Sequence, residues 1–302
     1  MVDSSTQQQR IAMQGQTNAR PEPTEPVYDR RRLTYANTFD SFWKATAIRA
    51  IEWLTGKITI IRMLHKFQAK APHDRRTFWG SALDVMKIDL VTPQEQLNRI
   101  PAQGPLVIVA NHPHGLVDGM VIADLISKTR TDYKVLTRSI LTGIDEIAAS
   151  FLISVPFPHE EDAQKKGIEM RAAAMKQLSD GGVVALFPSG VVASSETMFG
   201  PAIEQEWNVF TAKMIRRSGA TVVPIFFPGS NSRLYQIANR ISATLRQGLL
   251  LHEIVAACKK PQAPVIGKPI QSDEMQEHMA DPRALMAWLR ERTLSLKDDP
   301  DQ

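Results

Sequence analysis

The chain has 302 residues, 43% of them hydrophobic and 23% charged, the composition of an ordinary globular protein with room for one large domain or two small ones. A single cysteine, Cys258, excludes an intramolecular disulfide framework, and no run reaches the roughly 18 apolar residues of a membrane-spanning helix. The net charge of +4 fits anionic partners, without choosing among phospholipid surfaces, nucleic acid and phosphorylated substrates.

The first residues, MVDSSTQQQR, lack a basic start leading into an apolar run, so no secretory signal is expected. Residues 1–36 are rich in Gln, Arg, Pro, Ser and Thr and are expected to form a disordered polar tail. Residues 37–75 follow as a separate element. Asn37–Asp40 offers helix-start chemistry, and Phe42, Ala45, Ile48, Ile51 and Trp53 recur at helical steps. Gly56 marks a break, and Ile58, Ile61, Met63, Leu64 and Phe67 continue as a second helix. Residues 41–76 hold eight Lys and Arg against Glu52 and Asp74, a larger basic excess than that of the whole chain. Apolar residues, tryptophans and cations so interleaved suit a helix pair lying in an anionic membrane interface. The alternative is a helix pair packed on the domain with a solvated basic face.

From residue 76 short apolar runs alternate with helical patterns. Leu106–Ala110, Tyr133–Thr137, Val183–Phe187 and Thr221–Phe227 read as strands. Val117–Lys128, Ile140–Phe151, Ile168–Ser179 and Glu206–Ser218 read as helices. This alternation predicts an α/β domain over residues 76–272, with a largely parallel central sheet flanked by helices. Its continuously apolar strands are expected to be buried on both faces. Ser230–Cys258 is mostly helical and Pro264–Ile270 is a last strand candidate. Residues 273–302 form a C-terminal helix and tail, the helix starting at Asp281-Pro282.

The first strand runs directly into Asn111-His-Pro-His-Gly-Leu-Val-Asp118. Ligands of parallel α/β sheets bind at the carboxyl ends of the strands, so this polar cluster is placed to act. Pro113 and Gly115 shape a tight loop, and Asp118 falls in the first turn of the next helix, where a carboxylate is favoured. The chemistry this suggests is a catalytic His112–Asp118 dyad. A neutral imidazole takes a proton near neutral pH, and a carboxylate on its other nitrogen fixes the tautomer and stabilises the imidazolium. Two other chemistries compete. His112 and His114 could contribute two ligands to a metal-dependent hydrolase, although no comparable histidine cluster supplies the rest. Ser189 could be a nucleophile, although Phe187 stands where a nucleophile elbow needs glycine. A third reading leaves the histidines as structural caps of the turn.

In order along the chain, Asn111-His112-Pro…Asp118-Gly, Leu186-Phe-Pro-Ser-Gly190, Val222-Val-Pro-Ile-Phe226, Asn231-Ser-Arg-Leu-Tyr-Gln-Ile-Ala238 and Ile266-Gly-Lys-Pro-Ile270 resemble the motifs of the glycerolipid (lysophospholipid) acyltransferases, the PlsC-like superfamily. The usual first motif is N-H-x4-D. The five residues between His112 and Asp118 resemble the haemolysin-like and ornithine-lipid acyltransferase branch, which writes N-H-P-x-G-x-x-D-G. The resemblance spans about residues 76–270. It implies a glycerol-3-phosphate acyltransferase-like fold and transfer of a fatty acyl group from acyl-carrier protein or acyl-CoA to a lysolipid hydroxyl. His112 and Asp118 would be catalytic. Asn111, Pro113, Gly115, Phe187, Pro188, Ser189, Gly190, Asn231 and Arg233 would line the substrate. No metal or tightly bound cofactor is implied. The expected setting is peripheral, at the cytoplasmic face of the inner membrane, with membrane lipids and the acyl thioester as partners and no nucleic acid. An inactive lipid-binding protein on the same fold is the alternative. The family's common third motif is F-P-E-G-T-R, but here Ser189 replaces the acidic residue and no arginine follows. Arg233 is then a candidate for an anionic headgroup, since guanidinium pairs bidentately with carboxylate or phosphate; it could equally be a helix-terminal or surface salt-bridge residue.

Overall fold

The computed structural model describes residues 34–36, 41–70, 74–138, 146–156 and 162–301. Two helices, α1 (Phe42–Thr55) and α2 (Lys57–Gln68), precede α3 (Phe78–Met86) and the short α4 (Gln94–Leu97). The sheet alternates with helices: β1 (Leu106–Ala110), α5 (Leu116–Ser127), β2 (Tyr133–Arg138), α6 (Glu146–Ser150), β3 (Leu152–Val155), α7 (Ala163–Ser179) and β4 (Val183–Leu186). A two-stranded hairpin, β5 (Ser194–Ser195) and β6 (Ala202–Ile203), interrupts the alternation before α8 (Val209–Ser218) and β7 (Thr221–Phe226). Three helices, α9 (Arg233–Ile241), α10 (Ala243–Gly248) and α11 (Leu250–Ala257), lead to β8 (Val265–Ile266) and the last helix, α12 (Pro282–Ser295).

The six-stranded sheet has the order β3-β2-β4-β1-β7-β8 and is parallel except for β8, which runs antiparallel to β7. Strand side chains alternate between two cores. Leu106, Ile108 and Ala110 join Ile60, Phe78, Leu83, Ile122 and Leu251 on the face covered by α2, α3, α5 and α11. Val107 and Val109 join Leu178, Met214 and Leu289 on the face covered by α7, α8 and α12. All five β1 residues are fully buried. Each such aliphatic side chain contributes roughly 1.5–3 kcal/mol of transfer free energy, so the strand that carries the polar loop is the most firmly held in the sheet.

Several element ends differ from expectation for local reasons. Helix α7 begins five residues before Ile168, because its first turn carries the exposed Gln164, Lys165 and Lys166 and shows no apolar period. Helix α8 begins three residues after Glu206: Asn208 caps it by accepting the Phe210 N–H at 2.8 Å, while Trp207 is held outside by a side-chain bond. Strand β3 occupies Leu152–Val155, a strand not expected from the sequence; as a four-residue sheet edge it lacks the continuous burial of the central strands. Of Ile140–Phe151, residues 140–145 lie outside the described residues and Glu146–Ser150 is helical. Of Pro264–Ile270, only Val265–Ile266 pairs as a strand, with a single bridge from Ile270 to Val222.

Residues 1–33 and Asn37–Asp40 lie outside the described residues, but the last three residues of the expected tail are folded. Ala36 packs with Ala45 and Ile48 of α1. Thr34 donates its hydroxyl, and Tyr35 its N–H, to the fully buried Glu52 carboxylate at 2.6 and 2.7 Å. The helix pair does pack on the domain, through Ile60 and Phe67 in the main core and Ile51 against the cluster of Tyr235, Ala238 and Leu249, yet it leaves Phe42, Trp43, Trp53, Leu54 and Ile58 exposed. Among the described residues no helix is long and apolar enough to cross a membrane.

The break at Gly56 has a spatial cause. Its φ of −167° is open to any residue, but a Cβ there would lie 2.8 Å from the Leu251 carbonyl oxygen of α11. Gly56→Ala should cost about 1–3 kcal/mol through overpacking, read as a lower urea midpoint; an unchanged midpoint would contradict this packing.

Candidate active site

The carboxyl ends of three neighbouring parallel strands converge where β1 gives way to Asn111. Val109 is in register with Leu186 of β4, and Ala110 with Ile225 of β7. Asn111 is buried and ties the β1 end to β7: its Nδ2 donates to the Phe227 carbonyl at 2.8 Å and its Oδ1 accepts the Phe227 N–H at 2.7 Å. This amide extends the sheet ladder by one side chain.

The chain then turns through Pro113 and Gly115 into α5. Gly115 is the N-cap with φ 77°, in the left-handed region that favours glycine. Asp118, the third residue of the helix, folds its carboxylate back over the turn and is fully buried. Its Oδ2 accepts the N–H groups of His114 at 2.8 Å and Gly115 at 3.1 Å, and faces His112 Nδ1 at 3.0 Å. Its Oδ1 faces His114 Nδ1 at 3.0 Å. Burial raises the carboxyl pKa, but the hydrogen bonds from His112 and His114 and the charges of both rings outweigh it, and the group is held below the ordinary carboxylate value. An ionised carboxylate only accepts, so Nδ1 of each ring is the donor to it.

His112 is held on every side. Its ring stacks on Phe187 with centroids 3.9 Å apart and planes 16° off parallel. Its N–H donates to Glu204 Oε2 at 3.0 Å and its carbonyl accepts the Ala193 N–H at 2.8 Å. Glu204 is itself buried; its Oε1 accepts the Trp207 indole N–H at 3.0 Å, and Arg290 of α12 donates to its carbonyl. Neither Glu204 nor Arg290 is recognisable from sequence: a glutamate in Glu-Gln-Glu reads as surface, and only its burial against His112 reveals it. Gly229 was also missed. It has φ 94°, and a Cβ there would lie 3.0 Å from His114 Nε2, so only glycine lets the loop after β7 close over that ring.

The remaining candidates are near the pair but differ in what they do. Pro188 accepts the Asn208 N–H and Gly190 closes the turn by donating to Phe187, so Phe187–Gly190 is a bracket whose working part is the Phe187 ring. The Ser189 hydroxyl donates to the Val191 carbonyl at 3.0 Å, a local turn contact and not a nucleophile's bond to a base. Asn231 donates its N–H to the Pro113 carbonyl, and its buried Nδ2 has no partner among the described residues. Arg233 is exposed and donates Nη1 to the carbonyls of Phe199 and Gly200 at 3.1 and 2.6 Å. Arg233 is the first residue of α9, which fits the helix-terminal reading, and the contact is to carbonyls and not a surface ion pair. A cleft of about 720 Å³ lies at the β3 edge, lined in part by Lys134, Leu152, Met170 and Ala173; β2 and β4 separate that edge from His112.

His112 and His114 both turn Nδ1 toward Asp118, so the three groups bond one another. Among the described residues no cluster of three or more His, Cys, Asp and Glu side chains is disposed to hold a metal ion. What the arrangement can do is general-base chemistry: with Nδ1 of His112 turned to Asp118, Nε2 is the nitrogen left to take a proton.

The structure is thus an α/β scaffold with a histidine–carboxylate pair at the end of a central strand. The profile of a family described as "Acyltransferase" matches residues 47–301, most of the chain, and the chain belongs to that family. A search of curated proteins finds no match. Among solved structures, the crystal structure of PlsC from Thermotoga maritima, a 1-acyl-sn-glycerophosphate (LPA) acyltransferase, is similar at 14% identity and a TM-score of 0.44, covering 72% of this chain and 78% of that one.

The Asp118 shift sets a pH dependence. A carboxyl whose pKa is lower folded than unfolded adds stability that is fully present above its unfolded value of about 3.9 and is lost as pH falls through the folded value. Urea midpoints of the wild type should therefore fall more steeply below about pH 4 than those of Asp118→Asn; parallel pH profiles would contradict the assignment.

Proposed function

We propose that the chain transfers a fatty acyl group from an acyl-carrier-protein or coenzyme A thioester to the hydroxyl of a lysolipid, of lysophospholipid or lyso-ornithine-lipid type, in membrane lipid synthesis. The observation that carries this reading is the His112 Nδ1–Asp118 bond of 3.0 Å at the end of β1, in a chain of the acyltransferase family. His112 Nε2 takes the proton of the acceptor hydroxyl as the oxygen attacks the thioester carbonyl. A C–O bond forms and a tetrahedral oxyanion results. Its collapse breaks the C–S bond, and the thiolate leaves with the proton held by His112. Asp118 stabilises the imidazolium between the two steps. The reaction so written needs no protein nucleophile, metal or tightly bound cofactor.

The donor for the oxyanion is narrowed by exclusion. The N–H groups of His114 and Gly115 bond Asp118, and that of Gly190 bonds Phe187. Asn231 Nδ2 is a buried donor without a partner, attached through its own backbone to Pro113 of the catalytic loop. Buried donors are almost always paired in folded proteins, and a substrate oxygen would complete this one.

The helix pair supports a peripheral setting. Phe42, Trp43, Trp53, Leu54 and Ile58 are exposed among the cations of residues 41–76, a composition suited to the anionic cytoplasmic surface of a membrane.

Purified His112→Ala, assayed with labelled acyl-carrier-protein and coenzyme A thioesters against lysophospholipids and a lyso-ornithine lipid, should keep its circular dichroism and lose about 10²–10⁴ in kcat. Transfer at close to the wild-type rate, or a wild type that only releases free fatty acid, would overturn the reading.

A further inference from the structure

Between β4 and α8 the chain makes an excursion that begins and ends on His112. Ala193 donates its N–H to the His112 carbonyl at 2.8 Å, and Glu204 accepts the His112 N–H at 3.0 Å. The ten residues between them form the β5–β6 hairpin, paired Ser194 with Ile203 and Ser195 with Ala202. The hairpin is fastened sideways to α9. Arg233 donates to the carbonyls of Phe199 and Gly200 at the tip, and Gln236 Oε1 accepts the Ser195 N–H at 2.8 Å.

This well-fastened element turns apolar side chains outward. Phe199 at the tip is 79% exposed, with Met198, Ile203 and the adjoining Val191 also exposed. Helix α9 does the same beside it: Leu234 and Ile241 are exposed next to Arg233 and Arg240, while Tyr235 and Ala238 face inward. Single exposed apolar residues are normal on a protein surface. A group of them on two elements that bond each other, beside a catalytic loop, marks an interaction surface.

The chemistry of the surface selects its partner. Phe, Met, Leu and Ile beside the exposed Arg240 are the residues of an element lying in a lipid interface, the apolar groups dipping below the headgroups and the guanidinium meeting anionic ones. An acidic carrier protein would call for a cationic cluster, and Glu196 on the hairpin and Glu206 just after it oppose that. The surface also adjoins the N-terminal helices: Val192, Leu245 of α10 and Ile51 of α1 all pack on the cluster of Tyr235, Ala238 and Leu249, and α1 exposes Phe42, Trp43 and Leu54.

We propose that the 193–204 hairpin and the outward face of α9 form a second lipid-docking surface, and that docking acts on the catalytic pair through the two backbone hydrogen bonds joining the hairpin to His112. A lipid surface pressing on Phe199 holds the hairpin against α9, and with it the backbone that sets the His112 ring over Phe187. The proposal rests on the lysolipid reading above for its choice of a lipid surface.

The test uses the full chain with Phe199→Cys in a Cys258→Ser background, labelled with an environment-sensitive fluorophore, and a matching Trp43→Cys label on α1. Vesicles of equal parts phosphatidylglycerol and phosphatidylcholine should shift the emission at position 199 to the blue, and nitroxide-bearing lipids should quench it. In the otherwise native chain, Met198→Ser with Phe199→Ser should lower transfer to a vesicle-borne lysolipid by about tenfold or more, while transfer to a monomeric short-chain acceptor stays within about twofold. A label at 199 that does not shift overturns the proposal, whether or not the label at 43 responds. A label at 199 that shifts with acyl-carrier protein in the absence of lipid, and not with vesicles, makes the surface a protein site and also overturns it. If the wild type transfers no acyl group but the 199 label enters the bilayer, the lysolipid reading fails and the docking surface stands.

Discussion

A buried carboxylate is the most demanding group in this fold, and Asp118 dictates the geometry around it. Removing an unpaired carboxylate from water costs several kcal/mol, so the chain has to bring donors to it. Four arrive within the six residues that precede it: the rings of His112 and His114 and the N–H groups of His114 and Gly115. Hydrogen bonds to a charged group contribute roughly 1.5–3 kcal/mol each, enough together to offset the desolvation. Meeting that demand requires the left-handed Gly115 and starts α5 where it starts. It also turns Nδ1 of both imidazoles to the carboxylate, and so sets the nitrogen His112 presents to a substrate.

The second constraint is on the loop itself, which is held at several points. Asn111 fastens its start to Phe227, Glu204 and Ala193 grip the His112 backbone, and Phe187 supports the ring face. These contacts come from β7, from the hairpin and from the end of β4, elements far apart in sequence that the parallel order of the sheet brings together. The site is thus a product of topology as much as of one motif. A disturbance of the hairpin reaches the imidazole through two hydrogen bonds.

The catalytic loop is legible in the sequence because all its parts are local. An apolar strand, a glycine turn and an aspartate in the next helical turn determine the Asp118 bonds with no help from elsewhere. The parallel sheet is legible for a similar reason, since strands buried on both faces are continuously apolar. Glu204 is opaque because its role depends on a contact 92 residues away in sequence, and Gly229 because its neighbour is His114 of another loop. Arg233 is legible only in part: its place at the start of a helix follows from the sequence, but the engagement of its guanidinium with hairpin carbonyls does not. Asn111 is similar, a polar residue beside the catalytic histidine whose amide bonds to β7 at a distance in sequence.

Central to the chemistry is the negative charge of Asp118, which supports His112 when its ring takes a proton. Asp118→Asn isolates that charge: the N–H groups of His114 and Gly115 hold the amide oxygen at the Oδ2 place, where it still accepts from His112 Nδ1, and the NH₂ turns toward His114. The expected result is a folded protein whose ¹⁵N histidine spectrum keeps His112 protonated on Nδ1 and whose kcat for acyl transfer falls by about 10²-fold or more with little change in KM. Acyl transfer at close to the wild-type rate by that variant would contradict this role of the charge.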